Sequence, residues 1–368
     1  KPALCDFSTI STSCLVECCN DRRIPRPRPP VIDSRQGAAP RGGFAPGQGA
    51  GYGWDTARRC AMILCAGEAL IDMLPGRTAA GESAFVPHPG GSVFNTAIAL
   101  GRLGAPTGFF SGLSEDPFGR MLDRALIASG VDAGFAIRSA RPTTLAFVAL
   151  DDGQASYAFY DENSAGRMLA AADLPALSDR IEAVFFGGIS LAVEPCGSAY
   201  QALMLREAGA RVTMLDPNIR PGFAADEAAL RTRLAAMVAA ADIVKLSLDD
   251  LRWLLGPGDA AELARGLLER GPKLVVLTLG ADGARAFART AQAEIPARPV
   301  ELVDTVGAGD TFNAGLLAAL RAGGHLSKAG LGCLSHAALV GALDLASRAA
   351  AVTVSRAGAN PPWREELA

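Results

Sequence analysis

Beyond position 62 the chain alternates between two textures. Short apolar runs occur at 63–70, 107–110, 184–186, 212–215, 243–246 and 274–278. Runs of that length, bounded by turn residues, predict strands buried on both faces. Between them apolar residues return at helical spacing, at 94–103, 118–128, 198–208, 226–240, 248–255, 260–270 and 311–320. Gly104 and Gly130 stand just past the first two of these stretches, where glycine readily ends a helix. Strand following helix in this way predicts βαβ units and a parallel sheet covered on both faces. One region reads differently. Polar and apolar residues alternate at 143–150 and 156–160, around Asp151-Asp152-Gly153, which predicts a hairpin. With an extended stretch before position 90, it predicts a small β-layer at the sheet's edge, a lid built from about 73–90 and 140–166.

Residues 1–61 show neither period. They hold the Pro-rich segment 23–30 and the Gly-rich segment 42–53, a composition that buries too little apolar surface to order itself. They lack the apolar stretch of a secretory signal, and Asp6, Glu17, Asp21 and Asp33 argue against a transit peptide. The expectation is a disordered or non-native leader over 1–61 and a folded domain over 62–368.

The 368 residues are 49% apolar, enough for a large core, and carry a net charge of −3. Aromatics are only 6% and no basic cluster interleaves with them, so no nucleic-acid partner is expected. No uninterrupted apolar run reaches the roughly 18 residues of a membrane span. Cys5, Cys14, Cys18, Cys19 and Cys60 crowd the leader. Cys14 with Cys18–Cys19 lacks the second pair of ligands that a zinc site needs. Cys65, Cys196 and Cys333 lie far apart on apolar runs and read as reduced, buried thiols of a cytoplasmic protein.

The chemistry concentrates at Asp304-Thr305-Val306-Gly307-Ala308-Gly309-Asp310, directly before the 311–320 helix. A glycine turn at a helix start leaves backbone N–H groups unpaired at the positive end of the helix dipole, which makes an anion site. Asp310 adds a carboxylate at its rim. An anion cradle beside a base suits phosphoryl transfer to a hydroxyl. In an open α/β sheet, ligands bind beyond the carboxyl ends of the strands, and further polar residues fall there. Asp72 follows the first run, and Asp216-Pro217-Asn218-Ile219-Arg220 follows 212–215. Lys245 and Ser247 close 243–246, Asp250 comes one turn later, and Thr278, Gly280 and Gly283 follow the 274–278 run. Each also has a plain structural use: Asp72 as a turn cap, Asn218 in an Asx-turn, Lys245 as a surface charge, the two glycines as a hairpin bend. A second glycine turn, Gly90-Gly91, precedes a helix whose first turn carries Asn95, an amide suited to a polyhydroxylated ligand.

Two of these segments, GGSVFNTAIALGRLG at 90–104 and DTVGAGDTFNAGLLAAL at 304–320, resemble the ribokinase-like (PfkB) carbohydrate kinases. GEALIDMLP at 67–75, DPNIRP at 216–221 and TLGADG at 278–283 are most similar to the fructokinase branch. The resemblance implies a three-layer α/β/α fold with a mostly parallel central sheet and a small β-sheet lid. It implies ATP as phosphoryl donor, Mg²⁺, and K⁺ beside the anion turn. It assigns Asp310 as base, Gly307, Ala308 and Gly309 as the anion hole, and Arg220 as a helper at the phosphate. Asp72, Gly90, Gly91 and Asn95 match sugar contacts, with Arg167 a further candidate. Asn218, Lys245, Thr278, Gly280 and Gly283 match the nucleotide side. Asp250 stands where the family often has a Glu acting on Mg²⁺ through water. Asp304 matches a cation ligand, with Ser355 beside it. The adenine end, where Ser347 replaces a common Asn, carries no assignment. The resemblance implies a fructokinase first, with a 2-keto-3-deoxygluconate, ribose or nucleoside kinase of the same family as the alternative, and a catalytically silent sugar-binding regulator as the alternative of another class. The lid residues Phe147, Phe159 and Tyr160 are expected to cover the sugar or to pack a second copy's lid in a homodimer.

Overall fold

The computed structural model describes residues 61–151, 154–220 and 222–367. The leader and its cysteines therefore lie, but for Ala61, outside the described residues.

β1 (Met62–Ala66) is buried throughout. Ile63 and Cys65 enter one hydrophobic core, while Met62, Leu64 and Ala66 enter another, as the period of two requires. The chain then leaves the main sheet. β2 (Leu70–Arg77) and β3 (Ser83–Gly90) pair antiparallel, from Leu70 opposite Gly90 to Arg77 opposite Ser83. The apolar run 63–70 is thus not one strand. It serves two sheets, and hydropathy does not mark the crossing. Asp72 accordingly lies within β2, not just past the end of β1.

α1 (Ser92–Arg102) starts at Ser92 and lays Phe94 and Leu100 into the first core beside β4 (Thr107–Phe110). β5 (Gly112–Ser114) leads to α2 (Pro117–Ala128), whose first turn is capped by the Asp116 carboxylate accepting from the Gly119 N–H. The short strands β6 (Val131–Asp132) and β7 (Ile137–Ser139) follow. β8 (Leu145–Asp151) and β9 (Gln154–Tyr160) form the expected hairpin. β8 pairs parallel to β2, so the lid is a four-stranded sheet of order β3-β2-β8-β9.

The rest is βα succession: β10 (Ile181–Gly187), α3 (Cys196–Glu207), β11 (Val212–Asp216), α4 (Glu227–Ala240), β12 (Ile243–Ser247), α5 (Leu248–Leu255), α6 (Ala260–Leu268) and β13 (Leu274–Thr278). β14 (Ala284–Ala288) and β15 (Gln292–Ile295) turn back antiparallel. α7 (Ala308–Ala322), α8 (Lys328–Leu331) and α9 (His336–Val354) close the chain. The main sheet has nine strands in the order β15-β14-β13-β12-β11-β10-β1-β4-β6, parallel from β13 to β6. One core lies between the sheet and α1, α2, α7 and α9, the other between the sheet and α3 to α6. This is the expected three-layer α/β/α fold with a separate lid sheet.

Among the described residues one helix, α9, is long and apolar enough to cross a membrane. Here it packs on α7 and buries Leu339, Leu343, Ala346 and Ala349 in the first core. The three cysteines of the body are free, but only Cys65 and Cys196 are buried; Cys333 is exposed in the turn between α8 and α9.

Because β10, β11, β12 and β13 run parallel, Gly187, Asp216, Ser247 and Thr278 reach the same edge of the sheet.

Candidate active site

α7 begins with Gly307 as N-cap, in the left-handed conformation with φ of 77°. A side chain there would be strained, and glycine lets the chain turn sharply into the helix. Among the described residues no protein acceptor takes the N–H of Gly307, Gly309 or Asp310, whereas the Ala308 N–H reaches the Thr305 carbonyl at 3.3 Å. The open donors are therefore those of 307, 309 and 310, rather than 307 to 309.

Asp310 sits on the first turn and is buried. Its Oδ1 accepts from Ser92 Oγ at 2.7 Å and its Oδ2 from Asn95 Nδ2 at 2.9 Å. Burial pushes its carboxyl up to about 6, against the lowering effect of those two donors; the Asp216 charge raises it further and Lys245 lowers it. A helix N-terminus alone would favour a weak base. Here desolvation wins, and Asp310 is ionised at neutral pH yet basic enough to take a proton.

Asp72 comes in from the lid. Burial and then the Asp310 charge push its carboxyl up to about 6 as well. Its place depends on Gly90, where an added Cβ would come within 2.1 Å of Asp72 Oδ2. Gly307 is thus required for backbone conformation, as is Gly91 with φ of 106°, and Gly90 for room.

Lys245 is buried at the end of β12, with Nζ 3.0 Å from Asp216 Oδ2. The same oxygen accepts from Asn313 Nδ2 at 2.7 Å. Lys245 Nζ lies 3.2 Å from where a Cβ on Gly309 would stand, so this ammonium is beside the glycine turn and is no surface charge. A carboxylate base, an adjacent cation and open amides at one helix mouth can bind a phosphoryl group and deprotonate a hydroxyl.

The family description "pfkB family carbohydrate kinase" matches residues 61–366. The chain belongs to this family. A fructokinase of Rhizobium leguminosarum bv. trifolii is 52% identical over 278 residues, which is 76% of this chain and 85% of that protein. The crystal structure of the Xylella fastidiosa fructokinase with bound ATP aligns with a TM-score of 0.75 at 29% identity, covering 83% of this chain and 97% of that one. A double mutant of Vibrio cholerae O395 fructokinase, with fructose, ADP and potassium ion bound, gives 0.71 at 27% identity over 82% of this chain and 94% of that one.

Not every residue that the pfkB resemblance singled out joins this cluster. Asp250 Oδ1 accepts from the Ile219 N–H, and Oδ2 from the Ser247 N–H and Oγ, so it caps α5 and fastens the loop after β11. Arg220 is exposed and folds back on its own loop, donating to Asn218 Oδ1 at 2.6 Å, where Asn218 holds φ of 42°. Arg167 pairs with Asp161 at 2.9 Å and donates to the Glu194 carbonyl, tying the end of β9 to the body. Gly280 and Gly283 bound the tight turn between the antiparallel strands β13 and β14, and Thr278 Oγ1 reaches the Leu246 carbonyl. Asp304 accepts from the Val306 and Gly358 N–H groups, and the Ser355 hydroxyl donates to the Val352 carbonyl. Gly91 is the N-cap of α1.

Sequence reasoning missed the roles of Asp216 and Asn313. A signal was present: Asn313 lies three residues past Asp310, on the same helix face within an apolar run, where a polar residue needs a partner.

The raised carboxyls have a stability consequence. In the unfolded chain Asp72 ionises near its usual value of about 4, so between there and its folded value the native state binds more protons. Stability from this group is therefore lost as pH rises through the window from about 4 to about 6. Asp72→Asn is expected to raise the melting temperature near pH 7.5, where the wild type carries the buried charge, and to leave it unchanged near pH 4, read by calorimetry. An equal gain at both pH values would contradict the burial account.

Proposed function

We propose that this ATP-dependent carbohydrate kinase phosphorylates fructose on a primary hydroxyl. The observation that carries the proposal is the convergence of Asp310, Asp72 and Asn95 from three separate elements, with Lys245 and the open amides of α7 alongside. The acceptor hydroxyl donates to Asp310, and Asp72 accepts from a neighbouring sugar hydroxyl. As the sugar oxygen bonds to the γ-phosphorus, the bond to the β–γ bridging oxygen breaks, ADP leaves, and the hydroxyl proton goes to Asp310. Charge on the transferring group is met by the N–H groups of 307, 309 and 310 and by Lys245, which keeps two of its three donors after pairing with Asp216. Arg220 is a second cation from the loop after β11. Asn218, Thr278, Gly280 and Gly283 suit the nucleotide side of this rim.

The donor set fits a divalent cation. Asp216 Oδ1 is buried with no hydrogen-bond partner among the described residues, while both Asp250 oxygens are occupied. Asp216, at the end of β11, is thus the better carboxylate for a Mg²⁺-bound water, and Asp250 fastens the loop that follows it. When bound, the ion offsets phosphate charge. Asp304 keeps a free lone pair on each oxygen and suits K⁺, the ion named in the Vibrio structure. The free cysteines fit a reducing, cytoplasmic setting.

The lid offers a dimer surface. Register puts Asp72, His88, Ala146 and Phe159 on one face, and Met73, Phe147 and Tyr160 on the other. Phe159 meets Phe223 with ring centroids 4.8 Å apart, on the sugar side. On the opposite face Phe147 links Phe85 and Tyr160, which are 48% and 59% exposed. We assign that aromatic face to a second copy of the chain.

Two outcomes test these readings. In a panel of fructose, ribose, 2-keto-3-deoxygluconate and nucleosides, fructose is expected to give the highest kcat/KM, and Asp310→Asn to lower kcat by about 10² to 10⁴ while both substrates still bind by calorimetry. Near-wild-type turnover of that variant would remove Asp310 from its role. Light scattering is expected to find a dimer for the wild type and a monomer for Phe85→Glu with Tyr160→Glu. A dimer that survives those charges uses another surface.

A further inference from the structure

Glu68 is a buried carboxylate with no part in the chemistry above. It lies in the short link between β1 and β2, the root of the lid. Its Oε1 accepts from the Ser92 N–H at 2.9 Å, and its Oε2 from Ser190 Oγ at 2.9 Å and the Ser190 N–H at 3.4 Å. Its backbone carbonyl accepts from the Phe94 N–H at 3.2 Å. No cation pairs with it among the described residues. Its partners are neutral donors at the start of α1 and in the turn after β10. Ser92, so held, donates its hydroxyl to Asp310 Oδ1 at 2.7 Å. An unbroken run of contacts thus leads from the lid root, through the first residue of α1, to the carboxylate on α7.

An aspartate carboxylate rotates freely about its last bond unless both oxygens are held. Asn95 holds Oδ2 and Ser92 holds Oδ1, which fixes the plane of the group. Each oxygen keeps one lone pair, so an acceptor hydroxyl can still bind. The Ser92 donor also favours the ionised carboxylate, against the burial that disfavours it.

We propose that Ser92 is a positioning residue for phosphoryl transfer, held in place by Glu68, so that the lid root sets the orientation of Asp310. The proposal rests on the kinase reading given above. Glu68 touches no reacting atom and acts only through Ser92. The groups that face Asp310 and titrate or carry charge are Asp72 from the lid, Asp216 from β11 and Lys245 from β12. None of the three is hydrogen-bonded to Ser92, so changing Ser92 removes no contact of theirs.

The test compares the intact wild-type enzyme with Ser92→Ala, Ser92→Thr, Glu68→Gln and the double variant Ser92→Ala with Glu68→Gln. Rates are measured from acid to alkaline pH with ATP and the preferred sugar. Ser92→Ala is expected to lower kcat about tenfold with both KM values within about twofold, the loss of one hydrogen bond to a charged group. The acid limb of kcat/KM for the sugar moves to higher pH, because the lost donor had favoured the ionised form. Ser92→Thr restores both the rate and the limb. Glu68→Gln slows the wild type and adds nothing to Ser92→Ala. An unmoved limb in Ser92→Ala, a threonine variant as slow as the alanine variant, or additive losses in the double variant would each overturn the proposal. A wild type that phosphorylates no sugar would instead remove the kinase reading, so the two failures are distinct.

Discussion

The site is organised by a carboxylate buried at the mouth of a helix. Asp310 is drawn from water by the packing of α7 against α1, and the same packing supplies its two donors. Burial and hydrogen bonding pull its proton affinity in opposite directions, and burial is the larger. Had α1 been absent, the helix dipole and solvent would have kept the group an ordinary acid. Had the donors been absent, burial would have pushed its proton affinity higher still. The two helices together make a base, which neither sequence segment encodes alone.

A buried base needs a buried cation nearby if a phosphate is to join it, and a buried cation needs its own partner. Asp216 serves Lys245 in that way, with Asn313 supplying a further donor to the same oxygen. The opposite oxygens, Asp216 Oδ1 and Asn313 Oδ1, are left without partners among the described residues. Orphaned acceptors in a core are costly, of order 1–3 kcal/mol each, and a functional site is where such cost is tolerated. Their place beside Lys245 is consistent with a centre that is completed by what it binds.

What the sequence discloses depends on distance along the chain. The glycine turn and Asp310 are contiguous, so helix start, open amides and carboxylate could be read together. The βα succession was legible because each strand and helix carries its own period. The lid root was not, because β1 and β2 share one apolar run that changes sheets within it. Asp250 looked like a metal-linked carboxylate, but its distance from Ser247 is also that of a capping box, and the backbone uses it so. Lys245 read as a nucleotide contact or a surface charge. Its place at the glycine turn depends on the order of β12 and α7 in space, which no local pattern reveals. Glu68 carried no assignment from the sequence, because its partners Ser92 and Ser190 are set by tertiary packing alone.

The lid has two faces with opposed demands, and strand geometry ties them together. Asp72 and His88 face one way while Met73 and Phe147 face the other, so a slip of one residue in β2 would exchange them. Two features resist that slip. β2 is paired on both sides, with β3 and with β8, so its register must satisfy two ladders at once. At its inner end the Asp72 carboxylate occupies the space that a side chain at Gly90 would fill, and a slipped strand would bring Ile71 or Met73 there instead. Either side chain would meet the same close backbone and leave a buried carboxylate facing the apolar side. Asp72 therefore also pins the register of the sheet that carries it, and a slip that moved its carboxylate would move the aromatic face on the other side as well.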